Sequence, residues 1–164
     1  MKKLILIRHA KSSWEFPMED HERPLQQKGV SNSHIVFEKL AKCLPDRFLI
    51  WSSTAKRSVD TAKIFTENLN IPNELVVLKN SLYTFDYKEL ANIIKQCDSD
   101  IPNLIVFGHN DAITDFVNKF GNKFFEKVPT SGGIIISFNV DNWKNITQGI
   151  IDSVIFPKQQ YYAG

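Results

Sequence analysis

Leu4-Ile5-Leu6-Ile7-Arg8-His9-Ala10-Lys11-Ser12 decides the reading of this chain. Its apolar run is far too short to cross a membrane and has the length of a strand buried on both faces. The run stops at an arginine and a histidine. In an open α/β sheet, ligands bind at the carboxyl edge of the strands, so both side chains stand where function is expected. Arg8 offers a planar fork of donors suited to a phosphate or a carboxylate. His9 offers a ring nitrogen able to act as nucleophile, acid or base.

Outward from this stretch, the first strand covers residues 3–7. Residues 10–23 have no clear period and read as a loop lining the site, with Trp14 and Phe16 at its mouth. Pro24 and Leu25 open a helical pattern through Val30, His34, Phe37, Leu40, Ala41 and Leu44, and Pro45 marks its exit. A second strand at 48–51 leads into Ser52-Ser53-Thr54, where Ser53 or Thr54 can cap a helix that begins near Ala55 and ends before Pro72. A third strand covers 75–78. A loop with Tyr83, Phe85 and Asp86 follows, then a helix over 87–97. The fourth strand, 104–107, ends in Gly108-His109-Asn110 and precedes a helix over 112–120. Strands at 133–138 and 149–156 close the pattern. This order predicts an α/β fold, a three-layer αβα sandwich with a mostly parallel central sheet. With no repeat, low-complexity tract or linker, a single domain over 1–164 is expected.

Composition narrows the partners. The chain has 164 residues, 43% hydrophobic and 23% charged, with a formal net charge of +2. That profile is globular, and without a basic run it gives no ground for nucleic-acid binding. Cys43 and Cys97 have neither disulfide-framework nor metal-ligand spacing, and both are expected to be reduced and buried. The apolar run after Met1-Lys2-Lys3 is shorter than a signal-peptide core of about 7–15 residues. No membrane association is expected, and the expected compartment is the cytoplasm.

Three strands deliver polar groups just past their ends: Arg8 and His9; Ser52 and Ser53, with Arg57 one turn into the next helix; and Gly108, His109 and Asn110. Alone, each has an ordinary reading as a solvated strand end, a surface helix residue or a satisfied structural histidine. Together, two arginines and two histidines at one edge make a positive cluster that a phosphoryl group satisfies best. His34 reads as helical packing and His21 as loop surface. Trp51 and Trp143 read as packing aromatics, residues 130–133 as a turn leading into a strand, and 161–164 as a frayed tail.

The stretch Leu6–Ser12 resembles the signature of the histidine phosphatase superfamily, which includes the cofactor-dependent phosphoglycerate mutases. Ser52-Ser53-Thr54-Ala55-Lys56-Arg57-Ser58-Val59-Asp60-Thr61-Ala62 is similar to its second motif, and Phe107-Gly108-His109-Asn110 to its third. Asp20 to Leu25, with Arg23-Pro24-Leu25, resembles the small SixA-type phosphohistidine phosphatases. The resemblance implies a phosphoglycerate mutase-like fold. It makes His9 the nucleophile that becomes a transient phosphohistidine, and Arg8, Arg57 and His109 the groups that hold the phosphoryl oxygens. It implies no cofactor and no metal, and the sequence shows no cluster of carboxylates of the kind magnesium uses. The cationic neighbours of His9 are expected to keep it neutral, as attack requires.

Two departures bear on substrate. Many superfamily members carry a glutamate after the third strand that protonates an alcohol leaving group. Here that stretch is Leu78-Lys79-Asn80-Ser81-Leu82-Tyr83, without a carboxylate. An imidazole leaves already protonated, since its conjugate acid has a pKa near 6.5, whereas an alkoxide needs an acid. Asp20 or Glu22 in the first loop could supply a proton; Asp20 is the candidate proton donor, against an ordinary reading as a solvated or arginine-paired loop residue. The connection from Leu78 to Tyr87 is also short, which fits an open site able to take a phosphorylated side chain on a protein. The expected function is hydrolysis of a phosphoryl group through a covalent intermediate on His9, with a phosphohistidine-bearing protein as substrate. The alternatives are a small-molecule phosphomonoester phosphatase and a non-catalytic phosphate-binding module.

Overall fold

The computed structural model describes residues 1–15 and 17–158. Phe16 and the 161–164 tail lie outside the described residues. The strands are β1 (Lys2–Arg8), β2 (Leu49–Ser53), β3 (Val76–Lys79), β4 (Asn103–Gly108), β5 (Gly133–Phe138) and β6 (Ile150–Ile155). The helices are α1 (Gln27–Leu40), α2 (Lys56–Asn68), α3 (Tyr87–Ile94) and α4 (Ala112–Phe120). One six-stranded sheet in the order β3-β2-β4-β1-β5-β6 joins all the strands. β3, β2, β4 and β1 pair in parallel, while β5 runs antiparallel to both of its neighbours. The mostly parallel sheet expected from the sequence is therefore present.

The alternation of side chains along β1 builds two cores. Leu4 and Leu6 face α3 and α4 through Leu90, Ile94, Ile113 and Phe116. Ile5 and Ile7 face α1 and α2 through Val36, Phe37, Leu40, Ala62 and Phe65. Phe37, Phe65 and Phe107 pack edge-on, with Phe37–Phe65 centroids 5.3 Å apart and Phe65–Phe107 centroids 5.5 Å apart. The helices thus cover both faces of the sheet, in three layers. β3 is an edge strand, and its Val77 and Leu78 are exposed.

The buried stripe of α1 is Gly29, Ser33, Val36, Phe37 and Leu40; it shares Phe37 and Leu40 with the apolar pattern read in the sequence but has Gly29 and Ser33 where that pattern had Val30 and His34. Gly29 lies so close to the main chain of Lys11 that a Cβ there would sit 2.5 Å from its carbonyl oxygen. Ser33 Oγ meets Ser131 Oγ at 2.9 Å. This rotation corrects two expectations. His34 is exposed, and its Nδ1 accepts from the Asn68 side-chain amide at 3.0 Å. α1 stops at Leu40, so Cys43 falls in the following turn and is exposed; Cys97 is buried.

Candidate active site

Register brings the motif ends together. Arg8 on β1 is level with Gly108 on β4, and Ser52 on β2 is level with Phe107. His9, Ser53 and His109 therefore emerge side by side at the carboxyl edge. Arg57, in the first turn of α2, reaches over them. All four expected site residues converge: His9 is 7% exposed, Arg57 2% and His109 1%, and the ring centroids of His9 and His109 are 5.2 Å apart. Arg8 is half-buried, and its Nη1 donates to the Val128 carbonyl at 2.9 Å.

The tautomer of His9 follows from its partners. Nδ1 lies 2.7 Å from the Ala10 carbonyl, which can only accept, so Nδ1 carries the hydrogen. Nε2 is left with its lone pair, and Arg57 Nε donates toward it at 3.4 Å. The backbone around it is pinned as well. Ala10 N–H donates to Thr61 Oγ1, and Ser131 N–H donates to the carbonyls of both Arg8 and His9, each at 3.1 Å. Burial pushes the His9 imidazole down to about 3; its bond to Ala10 opposes this, and the charges of Arg57 and Arg8 add to it. The cationic neighbours expected to keep His9 neutral thus rank behind desolvation. Burial, reinforced by His9 and Arg57, likewise holds His109 at about 3.

Asp20 lies in a 3-10 turn, Asp20–Glu22, and faces the site. Its main-chain oxygen accepts from Arg57 Nη1 at 2.6 Å. Its Oδ2 accepts from Arg57 Nη2 at 2.9 Å and from the Tyr83 hydroxyl at 2.5 Å, and its Oδ1 accepts from Arg23 Nε at 3.1 Å. Burial alone would raise its pKa, but the hydrogen bonds from Tyr83 and Arg57 and the Arg57 charge outweigh that and bring it to about 2. Asp20 is ionised at neutral pH.

Sequence reasoning missed three neighbours. Arg23 is 6% exposed, bonds Ser12 Oγ through Nη1 and lies under the Trp14 ring, with Cζ 3.5 Å from its centroid. Tyr83 packs on His109 with centroids 5.3 Å apart. His21, read as loop surface, instead bonds Thr54 Oγ1 at 3.0 Å and sits edge-on to Tyr83. The spacing of Asp20 and Arg23, three residues apart in a tight turn, was the available signal for the first. Phe85, half exposed, lies against His109 at the rim.

Two buried nitrogens in this cluster, Arg8 Nε and His109 Nδ1, have no partner among the described residues. Of these, the Arg8 Nε–H is a buried donor beside a neutral imidazole and a second guanidinium, an arrangement that an oxyanion with several oxygens would satisfy. Among the described residues, no group of three or more His, Cys, Asp or Glu side chains is placed to hold a metal ion. No helix among them is long and apolar enough to cross a membrane.

The fold thus brings two histidines and two arginines to one edge of the sheet. Residues 4–120 match the family model of the histidine phosphatase superfamily, branch 1, so the chain belongs to that superfamily. Among curated proteins it is 33% identical over 122 residues to an uncharacterized chloroplastic protein of Arabidopsis thaliana. The match covers 66% of this chain and 54% of that protein, so the chain matches about half the length of this relative. The SixA protein of Agrobacterium tumefaciens superposes with a TM-score of 0.77 at 21% identity, covering 96% of this chain and 99% of that one. The SixA protein of Nakamurella multipartitia gives 0.77 at 19% identity, with 95% and 96% covered. The protein histidine phosphatase SixA in complex with tungstate gives 0.77 at 16%, with 94% and 97% covered. At these identities the likeness is one of fold.

Proposed function

We propose that this chain is a protein phosphohistidine phosphatase that works through a phosphohistidine on His9. The observation that carries this is the buried, neutral His9, whose Nε2 presents a lone pair, approached by Arg57 Nε, next to the unpartnered Arg8 Nε and His109 Nδ1. In the first step, His9 Nε2 forms a bond to phosphorus as the bond from phosphorus to the substrate nitrogen breaks. The substrate imidazole departs with that electron pair. In the second, water attacks the phosphorus, the bond to Nε2 breaks, and inorganic phosphate leaves with His9 restored. Arg8, Arg57 and His109 hold the phosphoryl oxygens and stabilise charge in the displacement.

The substrate class follows from the acid. Tyr83 and the site arginines hold Asp20 as a carboxylate, so the resting geometry offers no proton there to an alkoxide. A phosphohistidine can bring its own, on the distal ring nitrogen, and then leaves as neutral imidazole. The rim also suits a side chain on a protein surface: Trp14 stands out from it, and Phe85 is half exposed. In this reading Asp20 is a positioning residue for Arg57 and Arg23.

The test compares kcat/KM for a phosphohistidine-bearing protein with that for an alkyl phosphomonoester, using His9→Ala as control. A strong preference for the phosphoramidate, abolished in His9→Ala, is expected. Equal or better use of the ester would move the substrate to small phosphomonoesters. Full activity of His9→Ala would overturn the mechanism, and no turnover of either substrate would favour a phosphate-binding module.

A further inference from the structure

His109 is held on one side by a serine. Its Nε2 lies 2.8 Å from Ser53 Oγ, and both side chains are buried. The same Oγ accepts the main-chain N–H of Ala55 at 3.2 Å. The other ring nitrogen of His109, Nδ1, is the unpartnered atom noted above.

A neutral imidazole carries one hydrogen, and a hydroxyl carries one. Ala55 is a donor to Ser53, so it cannot take the hydroxyl hydrogen. His109 Nε2 can take it, and does so only when it is bare. The ring hydrogen then sits on Nδ1. In the opposite tautomer both Ala55 and His109 would donate to Ser53 Oγ. The serine hydrogen would lose this acceptor, and Nδ1 would turn a lone pair toward the negative oxygens of a phosphoryl group.

We propose that Ser53 is a positioning residue that fixes His109 as the Nδ1–H tautomer, so that this N–H donates to a phosphoryl oxygen. The inference rests on the phosphatase reading of the site. Both histidines of the pair then carry hydrogen on Nδ1 and use opposite ends. His9 presents a lone pair to phosphorus, and His109 presents a hydrogen to oxygen. Arg57 supplies the same preference from its own side, since it donates toward His9 Nε2.

The test is 15N NMR of the histidine-labelled full chain at neutral pH, with tungstate as the oxyanion probe. In the wild type, His109 Nδ1 is expected at a protonated shift and Nε2 at a bare one, before and after tungstate. Ser53→Ala is expected to collapse this difference toward a mixture of tautomers. It should also weaken tungstate binding about tenfold, the size of one charge-assisted hydrogen bond. Ser53→Thr, which keeps the hydroxyl, is expected to restore both. An Nε2–H tautomer of His109 in the wild type would overturn the proposal, and that measurement needs no variant to fold. So would a folded Ser53→Ala with unchanged shifts and affinity. Because the tautomer is read without turnover, a failure of this proposal is told apart from a failure of the phosphatase reading.

Discussion

Arg57 is bound to Asp20 twice, through Nη1 to the main-chain oxygen at 2.6 Å and through Nη2 to the carboxylate at 2.9 Å. An arginine clamped at two points keeps its Nε aimed at His9, and the clamp is itself braced by Tyr83 and Arg23. Asp20→Asn keeps the shape and removes the charge. We expect kcat/KM to fall about tenfold, in line with one hydrogen bond to a charged group. The fall should be equal for a phosphohistidine protein and an alkyl phosphate. Loss confined to the alkyl ester would instead make Asp20 the proton donor.

Acid should act on stability before it acts on the nucleophile. His9 and His109 each sit near 3 when folded, against 6.5 in the unfolded chain, so between these values the unfolded state binds more protons. Their contribution is complete above pH 6.5 and is lost as pH falls toward 3. Asp20, lowered from 3.8 to about 2, adds a further loss below pH 4. Tm should therefore decline steadily below pH 6.5, and His109→Asn should flatten that slope. While the protein remains folded, kcat/KM should show no acid limb near 6.5. A limb there would mean that His9 titrates like an exposed histidine.

Trp14 lies over the Arg23 guanidinium, and 72% of its surface is exposed. An exposed cation–π contact contributes about 0.5–1 kcal/mol. Trp14→Ala should raise KM for a phosphohistidine protein about threefold and leave kcat unchanged. A fall in kcat at constant KM would place Trp14 in the chemical step rather than in binding.

The core under β1 and β4 gives a stability prediction. Phe37 is fully buried and packs edge-on against Phe65 and Phe107. Phe37→Ala should cost about 3–5 kcal/mol by removing buried surface and leaving a cavity. Denaturant unfolding measures it; a loss under 1 kcal/mol would mean that α1 settles into the gap.

The parts of the site legible in the sequence are those tied to regular structure. Arg8, His9 and His109 follow directly from strand ends, and Arg57 from a helix start, so periodicity and strand order place them. Asp20, Arg23 and His21 lie in a segment with no period. Their positions come from contacts distant in sequence, such as the isolated bridge of Ser12 with Leu25 and the bond from Arg23 to Ser12. Tyr83 was read only as a loop residue because its hydroxyl partner, Asp20, is 63 positions away. The misplacement of His34 and Cys43 has a local cause. The inner face of α1 is built on Gly29 and Ser33, chosen for close approach rather than apolarity, so a search for apolar spacing settles one residue off.

The tie from Ser131 to the carbonyls of Arg8 and His9, with that from Arg8 to Val128, has a consequence for synthesis. Chains emerge from the ribosome N-terminus first. His9 is thus made before Val128 and Ser131, the residues that fix the main chain around it. Until the segment carrying Val128 and Ser131 has emerged, β1 has no partner on its β5 side and the phosphoryl socket cannot close. A chain made only as far as α4 displays His9 without these ties, so the order of synthesis leaves this corner of the fold to be completed last among the parts that hold His9.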